Sequence, residues 1–148
     1  MHKFSGNKPR SMDAKGRVPV PSEFRGALGE EVVIVEGTLN CLWVYPVAEY
    51  ERFTDGLEGD ELDYDLQDTL YQFLGSAEYL TLDSAGRVRV SDSLREYANL
   101  GKDVMMVGMG KTIHLWNRED FLAHRASVDR RDNIRRVSEL RKQRALDN

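Results

Sequence analysis

The chain has a single cysteine, Cys41, so no disulfide can close within it, and a reducing compartment is the simple expectation. It has no apolar run of about 18 residues, which excludes a conventional transmembrane helix. Residues 1–6 lack the apolar stretch of a signal peptide. A cytoplasmic location is expected. Histidine is scarce, and His2, His114 and His124 show no metal-ligand spacing with one another or with Cys41. There is no Ser–His or Cys–His arrangement and no phosphate-binding glycine loop. No catalytic residue, metal site or cofactor is expected, and an enzyme is disfavoured.

Charge of one sign is missing locally. Arg52 is the only cation between residues 49 and 68, among Glu49, Glu51, Asp55, Glu58, Asp60, Glu61, Asp63, Asp65 and Asp68. These carboxylates are spread along a loop and a helix, as on a solvated face. Residues 1–25 show the reverse: Lys3, Lys8, Arg10, Lys15, Arg17 and Arg25 stand against Asp13 and Glu23 alone. Arginine returns from Arg118 to Arg144. The net charge of −4 argues against a general polyanion binder, but this segregation can build a positive face on an acidic protein.

What is present is a duplication. Met12-Asp13-Ala14-Lys15-Gly16-Arg17-Val18-Pro19-Val20-Pro21-Ser22-Glu23-Phe24-Arg25 aligns without a gap with Leu82-Asp83-Ser84-Ala85-Gly86-Arg87-Val88-Arg89-Val90-Ser91-Asp92-Ser93-Leu94-Arg95. At 148 residues, two such halves would each be marginal alone, so they should share one core or borrow from a partner.

The flanks repeat too. Gly16 and Gly86 mark turns, because glycine accepts positive φ without strain. Val18 with Val20, and Val88 with Val90, share one strand face; Arg17, and Arg87 with Arg89, lie opposite. Ser22 in the first copy, and Ser91 or Asp92 in the second, read as helix N-caps. Hairpins follow over 31–45 and 103–116. Helices follow through Tyr50 and Phe53, and through Phe121 and Leu122. Leu62, Leu66, Leu70, Phe73 and Leu74 give a linking-helix stripe. The organisation is residues 1–55, first repeat; 56–77, acidic loop and linking helix; 78–124, second repeat; 125–148, an arginine-rich tail read as a frayed helix.

The spacing lets Asp13 pair with Arg17, and Asp83 with Arg87, across the turn. One reading is a structural clasp made by Asp13, Gly16, Asp83 and Gly86. The other gives Arg17 and Arg87, pointing away from the core, a role on phosphate or guanine edges.

The doubled motif with its flanks resembles the MraZ family of bacterial transcriptional regulators, from about Phe4 to Leu122. The resemblance implies an α+β fold: a mainly β swapped-hairpin barrel of the AbrB type, built from two internal repeats with flanking helices. It implies a homo-oligomeric closed ring on double-stranded DNA, nucleoid-associated, at tandem promoter repeats upstream of division and cell-wall genes. The family's functional residues fall on Asp13, Arg17, Asp83 and Arg87. Lys3, Lys8, Arg10 and Lys15 would then hold phosphates, and Arg17 and Arg87 would read bases. The arm before Met12 is more polar than the family pattern, and Ala85 stands where the first copy has Lys15; the first copy is therefore expected to dominate. An AbrB-like oligomeric antitoxin or interaction module is the alternative.

Overall fold

The computed structural model describes residues 3–57 and 63–147. They divide into two compact units, residues 3–118 and 119–147. The first unit contains β1 (Asn7–Ser11), β2 (Arg17–Pro19), α1 (Ser22–Leu28), β3 (Glu31–Glu36), β4 (Leu42–Pro46), α2 (Val47–Thr54) and α3 (Tyr64–Phe73). It continues with β5 (Glu78–Thr81), β6 (Arg87–Arg89), α4 (Asp92–Tyr97), β7 (Asp103–Gly108) and β8 (Ile113–Asn117). The order bears out the duplicated plan within an α+β fold.

The repeats are interleaved. Six strands form one sheet in the order β1-β7-β8-β4-β3-β5, and β2 pairs with β6 as a separate ribbon. The first strand of each repeat joins the hairpin of the other: β1 pairs with β7, and β5 with β3, both antiparallel. At the centre, β4 meets β8 with Trp43 opposite His114. The repeats are thus related by an approximate twofold, and neither could bury its apolar faces without the other.

This explains the run Glu31-Val32-Val33-Ile34-Val35-Glu36. Alternation is absent because β3 is covered on both faces. Val32 and Ile34 enter the main core with Val18, Val88, Leu94 and Leu115. Val33 and Val35 enter a second cluster with Tyr45 and Tyr50. Burying each such aliphatic side chain contributes about 1.5–3 kcal/mol.

The second cluster extends into an aromatic stack. Trp43 lies between Phe73 (centroids 5.3 Å) and His114 (5.1 Å), near-parallel to both. Gly37 makes room: a Cβ there would sit 2.3 Å from Trp43 Nε1. Tyr50 Oη donates to Phe73 O at 2.7 Å, fastening α2 to α3. Burial pushes the Cys41 thiol up to about 12 and the His114 imidazole down to about 4. Cys41 Sγ lies 3.9 Å from His114 Nδ1.

One expectation changes. Ser22 does not cap α1; Pro21 occupies that position with its φ fixed at −52°, and no side chain caps the helix. Ser91 does cap α4, accepting from Leu94 N. The last segment is helical from Arg130 to Asp147. Leu62, in the expected stripe, lies outside the described residues, as do Glu58, Asp60 and Glu61; α3 begins at Tyr64, capped by Asp63.

The second unit contains the greater part of α5 (Arg118–Ala126) and α6 (Arg130–Asp147), and α6 has no buried residue. No helix among the described residues is long and apolar enough to cross a membrane.

Two outcomes are expected. Between pH 6.5 and 4 the unfolded chain takes up a proton that folded His114 refuses. His114's contribution to stability is complete above the ordinary histidine value and falls as pH drops through this window. Urea midpoints should decline across it, and His114→Phe should flatten the decline. At the β3–β4 turn, Leu39 and Asn40 both have positive φ (58° and 57°), the pattern of a type I′ turn. Leucine is strained there, and asparagine is not. Leu39→Asn should stabilise by up to about 1 kcal/mol in thermal melts.

Candidate nucleic-acid interface

Each motif copy builds the same turn. Asp13 Oδ1 accepts from Lys15 N (3.0 Å) and Arg17 N (2.9 Å), and Oδ2 accepts from Arg17 Nε at 2.6 Å. Asp83 repeats this with Ala85 N (3.0 Å), Arg87 N (2.9 Å) and Arg87 Nε (2.8 Å). Main-chain bonds from Gly16 N to Asp13 O and from Gly86 N to Asp83 O close the turns.

The glycines have two reasons to be there. Their φ values are 83° and 74°, in the left-handed region. Each also lies against the opposite repeat. A Cβ on Gly16 would come 2.6 Å from Val90 O, and one on Gly86 would come 2.5 Å from the Arg25 guanidinium. Val20 N donates to Gly86 O (3.0 Å) and Val90 N to Gly16 O (2.8 Å), so each turn is bonded to the other repeat's strand. Arg25 and Arg95, which end the repeated motif, pack against these glycines.

The two copies therefore form one surface. In the ribbon Arg17 faces Arg89, Val18 faces Val88, and Pro19 faces Arg87. The valines are fully buried. Arg17, Arg87 and Arg89 share the outer face. Arg89 Nε donates to Lys15 O at 3.3 Å, bringing the first turn beside the second strand. Like charges directly opposite in an antiparallel pair are destabilising. The ribbon accepts this cost, and the result is a concentration of guanidinium groups.

The pairing of Asp13 with Arg17, and of Asp83 with Arg87, follows the spacing. The arginines are not loose beside a turn made by others. Each is held by its own aspartate through Nε, while among the described residues no acceptor meets its terminal nitrogens. The clasp thus pre-orients the donors that a ligand would use. Arg89 was not among the sequence candidates. Its signal lay in the alternation Arg87-Val88-Arg89, masked by Pro19 at the equivalent position in the first copy.

The other candidates are dispersed. Lys15 is exposed on the first turn. Lys8 and Arg10 lie on β1, opposite Met106 and Val104. Lys8 is 4.0 Å from Glu23, and Arg10 donates to Pro9 O. Exposed Lys3 adjoins the Phe4–Gly110 bridge, at the β7–β8 hairpin rather than on the ribbon. Among the described residues no group of three or more His, Cys, Asp or Glu side chains gathers as a metal site requires.

Asp13 and Asp83 are held below the ordinary carboxylate value, chiefly by the backbone N–H of Arg17 and of Arg87, with the guanidinium and one further N–H adding to it and partial burial opposing it. Their contribution is complete above about pH 3.9 and disappears as pH falls through the lowered folded values. In a carboxyl NMR titration both should remain ionised below the ordinary aspartate value, and the Arg17 and Arg87 Nε–H signals should move with them.

Comparison with known proteins is consistent with this duplication. The family described as "MraZ protein, putative antitoxin-like" matches residues 4–70 and 73–144. A protein named transcriptional regulator MraZ from Lachnoclostridium phytofermentans is 34% identical over 88% of this chain and 92% of its own length. One of the same name from Clostridium tetani is 31% identical over 93% and 98%, and one from Acidovorax sp. is 37% identical over 84% and 89%.

Proposed function

Because the chain belongs to the MraZ family, we propose that it is a transcription regulator that binds double-stranded DNA sequence-specifically through the β2–β6 ribbon, and not an enzyme. The observation that carries this reading is the outer face of that ribbon. Three arginines from two distant segments converge there, two directly opposite each other and two aimed by carboxylates.

A two-stranded ribbon fits the width of the DNA major groove. Arg17 and Arg87 offer paired terminal N–H groups that match O6 and N7 of guanine. Arg89, opposite Arg17, adds a third donor set. Lys15, with Lys3, Lys8 and Arg10 further out, supplies phosphate contacts that set position without reading sequence. A homo-oligomeric ring would present one ribbon per subunit at regular spacing. Engagement of neighbouring DNA repeats would then raise affinity through effective concentration. The target proposed is the set of tandem repeats in the promoter of the division and cell-wall gene cluster. The protein would act in the cytoplasm, at the nucleoid.

Arg17→Ala should cost on the order of 1–3 kcal/mol per contacted base and blunt sequence preference, whereas Lys15→Ala should weaken all sequences alike. Gel-shift titration on the DNA upstream of its own gene checks both. Unchanged binding and preference in Arg17→Ala would remove the ribbon from the reading.

A further inference from the structure

Two helices expose faces of opposite chemistry, neither with an ion-pair partner among the described residues. The outward side of α3 carries Tyr64, Asp65, Asp68 and Tyr71, which share a face at helical spacing. The tyrosines are 81% and 72% exposed. Among the described residues neither aspartate has a cation within ion-pair distance. The inward side, Leu66, Leu70 and Phe73, is half-buried, so the orientation of α3 is fixed and the tyrosines are left in water.

The other face is on α6. At 3.6 residues per turn, Arg130, Ile134, Val137, Leu140, Arg141 and Arg144 fall on one side. Two of its three acids, Asp132 and Glu139, fall on the other, and Asp147, the last residue, borders Leu140. Asp132 and Glu139 pair with Arg135. Arg130, Arg141 and Arg144 have no acidic partner among the described residues. Ile134 is 71% exposed and Val137 50%.

We propose that α6 of one copy docks through this arginine and aliphatic face onto the Tyr64, Asp65, Asp68 and Tyr71 face of α3 on a second copy. The residues of both faces are exposed. Their charges are opposite, and the guanidinium groups would also stack on the tyrosine rings. The aliphatic residues find in the tyrosines an apolar surface that a phosphate backbone does not offer. Nucleic acid is therefore the poorer fit to α6. The two faces are different surfaces, so the contact can propagate head to tail, the arrangement from which closed rings are made. The inference rests on the reading of the protein as an assembled regulator, and adds the contact that joins its subunits.

The test uses two full-length double variants, Arg141→Glu with Arg144→Glu and Asp65→Arg with Asp68→Arg, followed by sedimentation velocity and DNA titration. Each variant alone should need about tenfold more protein or higher to reach the wild-type assembly. Mixing the two should regenerate it, because each variant's α6 then matches the other's α3. Tyr64→Ser with Tyr71→Ser, with circular dichroism confirming the fold, should weaken assembly in the same way. Assembly unchanged in any of the three overturns the proposal, as does a mixture that does not reassemble. Loss of DNA affinity with assembly intact in Arg141→Glu/Arg144→Glu overturns it and assigns α6 to nucleic acid. A wild-type chain that binds the promoter repeats as a monomer overturns this contact but leaves the ribbon reading standing. A wild-type chain that assembles but ignores those repeats does the reverse.

Discussion

An aspartate that accepts two main-chain N–H groups with one oxygen and a guanidinium with the other fixes the start of each ribbon strand. Much else follows from that constraint. The bound N–H groups force the tight turn, and the turn forces glycine three residues later. The glycine, having no side chain, admits the strand of the opposite repeat to hydrogen-bonding distance. The clasp is thus local in its bonds but long-range in its effect. It also sets the direction of the arginine. A guanidinium bonded through Nε retains its outer fork while losing much of its rotational freedom, and that lowers the entropy cost of binding a ligand.

The ribbon itself is too short to be stable alone; two strands of three residues bury very little. It is held by Val18, Val20, Val88 and Val90 in the core beneath, and by the crossed bonds at Gly16 and Gly86. The outer face could therefore accept Arg17 opposite Arg89. The free energy that tolerates this repulsion comes from the buried side, where interleaving of the repeats lets β3 and its counterparts be covered on both faces. Core and candidate interface are thus linked: loosening the valine layer would loosen the arginines above it.

Much of the fold was legible in the sequence. Alternation around Val18 and Val88, glycine turns, and two hairpins each followed by a helix specified the order of elements. Pairing between elements was harder to read. Nothing in the residues announces that β1 belongs with β7 or that the two motif copies touch, since a duplicated sequence records repetition and not contact. The sequence therefore ranks the first copy above the second, and the alternation around Val88 does not by itself single out Arg89. The Asp-to-Arg clasp was legible because its geometry is local. The cap at Ser22 failed because Pro21 already held the entry to α1. The Cys41–His114 approach is invisible to spacing, as it arises from β4 meeting β8 at the centre of the sheet. The ribbon's proposed place in DNA recognition rests on the family and on the charge its outer face gathers, not on any single residue pattern.

Position 19 has a consequence of its own. Pro19 and Arg89 are equivalent in the repeat, yet one is apolar and the other cationic. A dimer of identical chains could not make that distinction, because symmetry would force the same residue onto both strands. Fusion within one chain removes the obligation. A twofold surface looks the same from either end, whereas this ribbon has a charged end and a less charged one. If the ribbon binds DNA as proposed, such a surface would have a direction: it would match a half-site in one orientation better than in the other. Copies arranged around a ring would each carry that same sense, which suits sites written as direct repeats and disfavours palindromes.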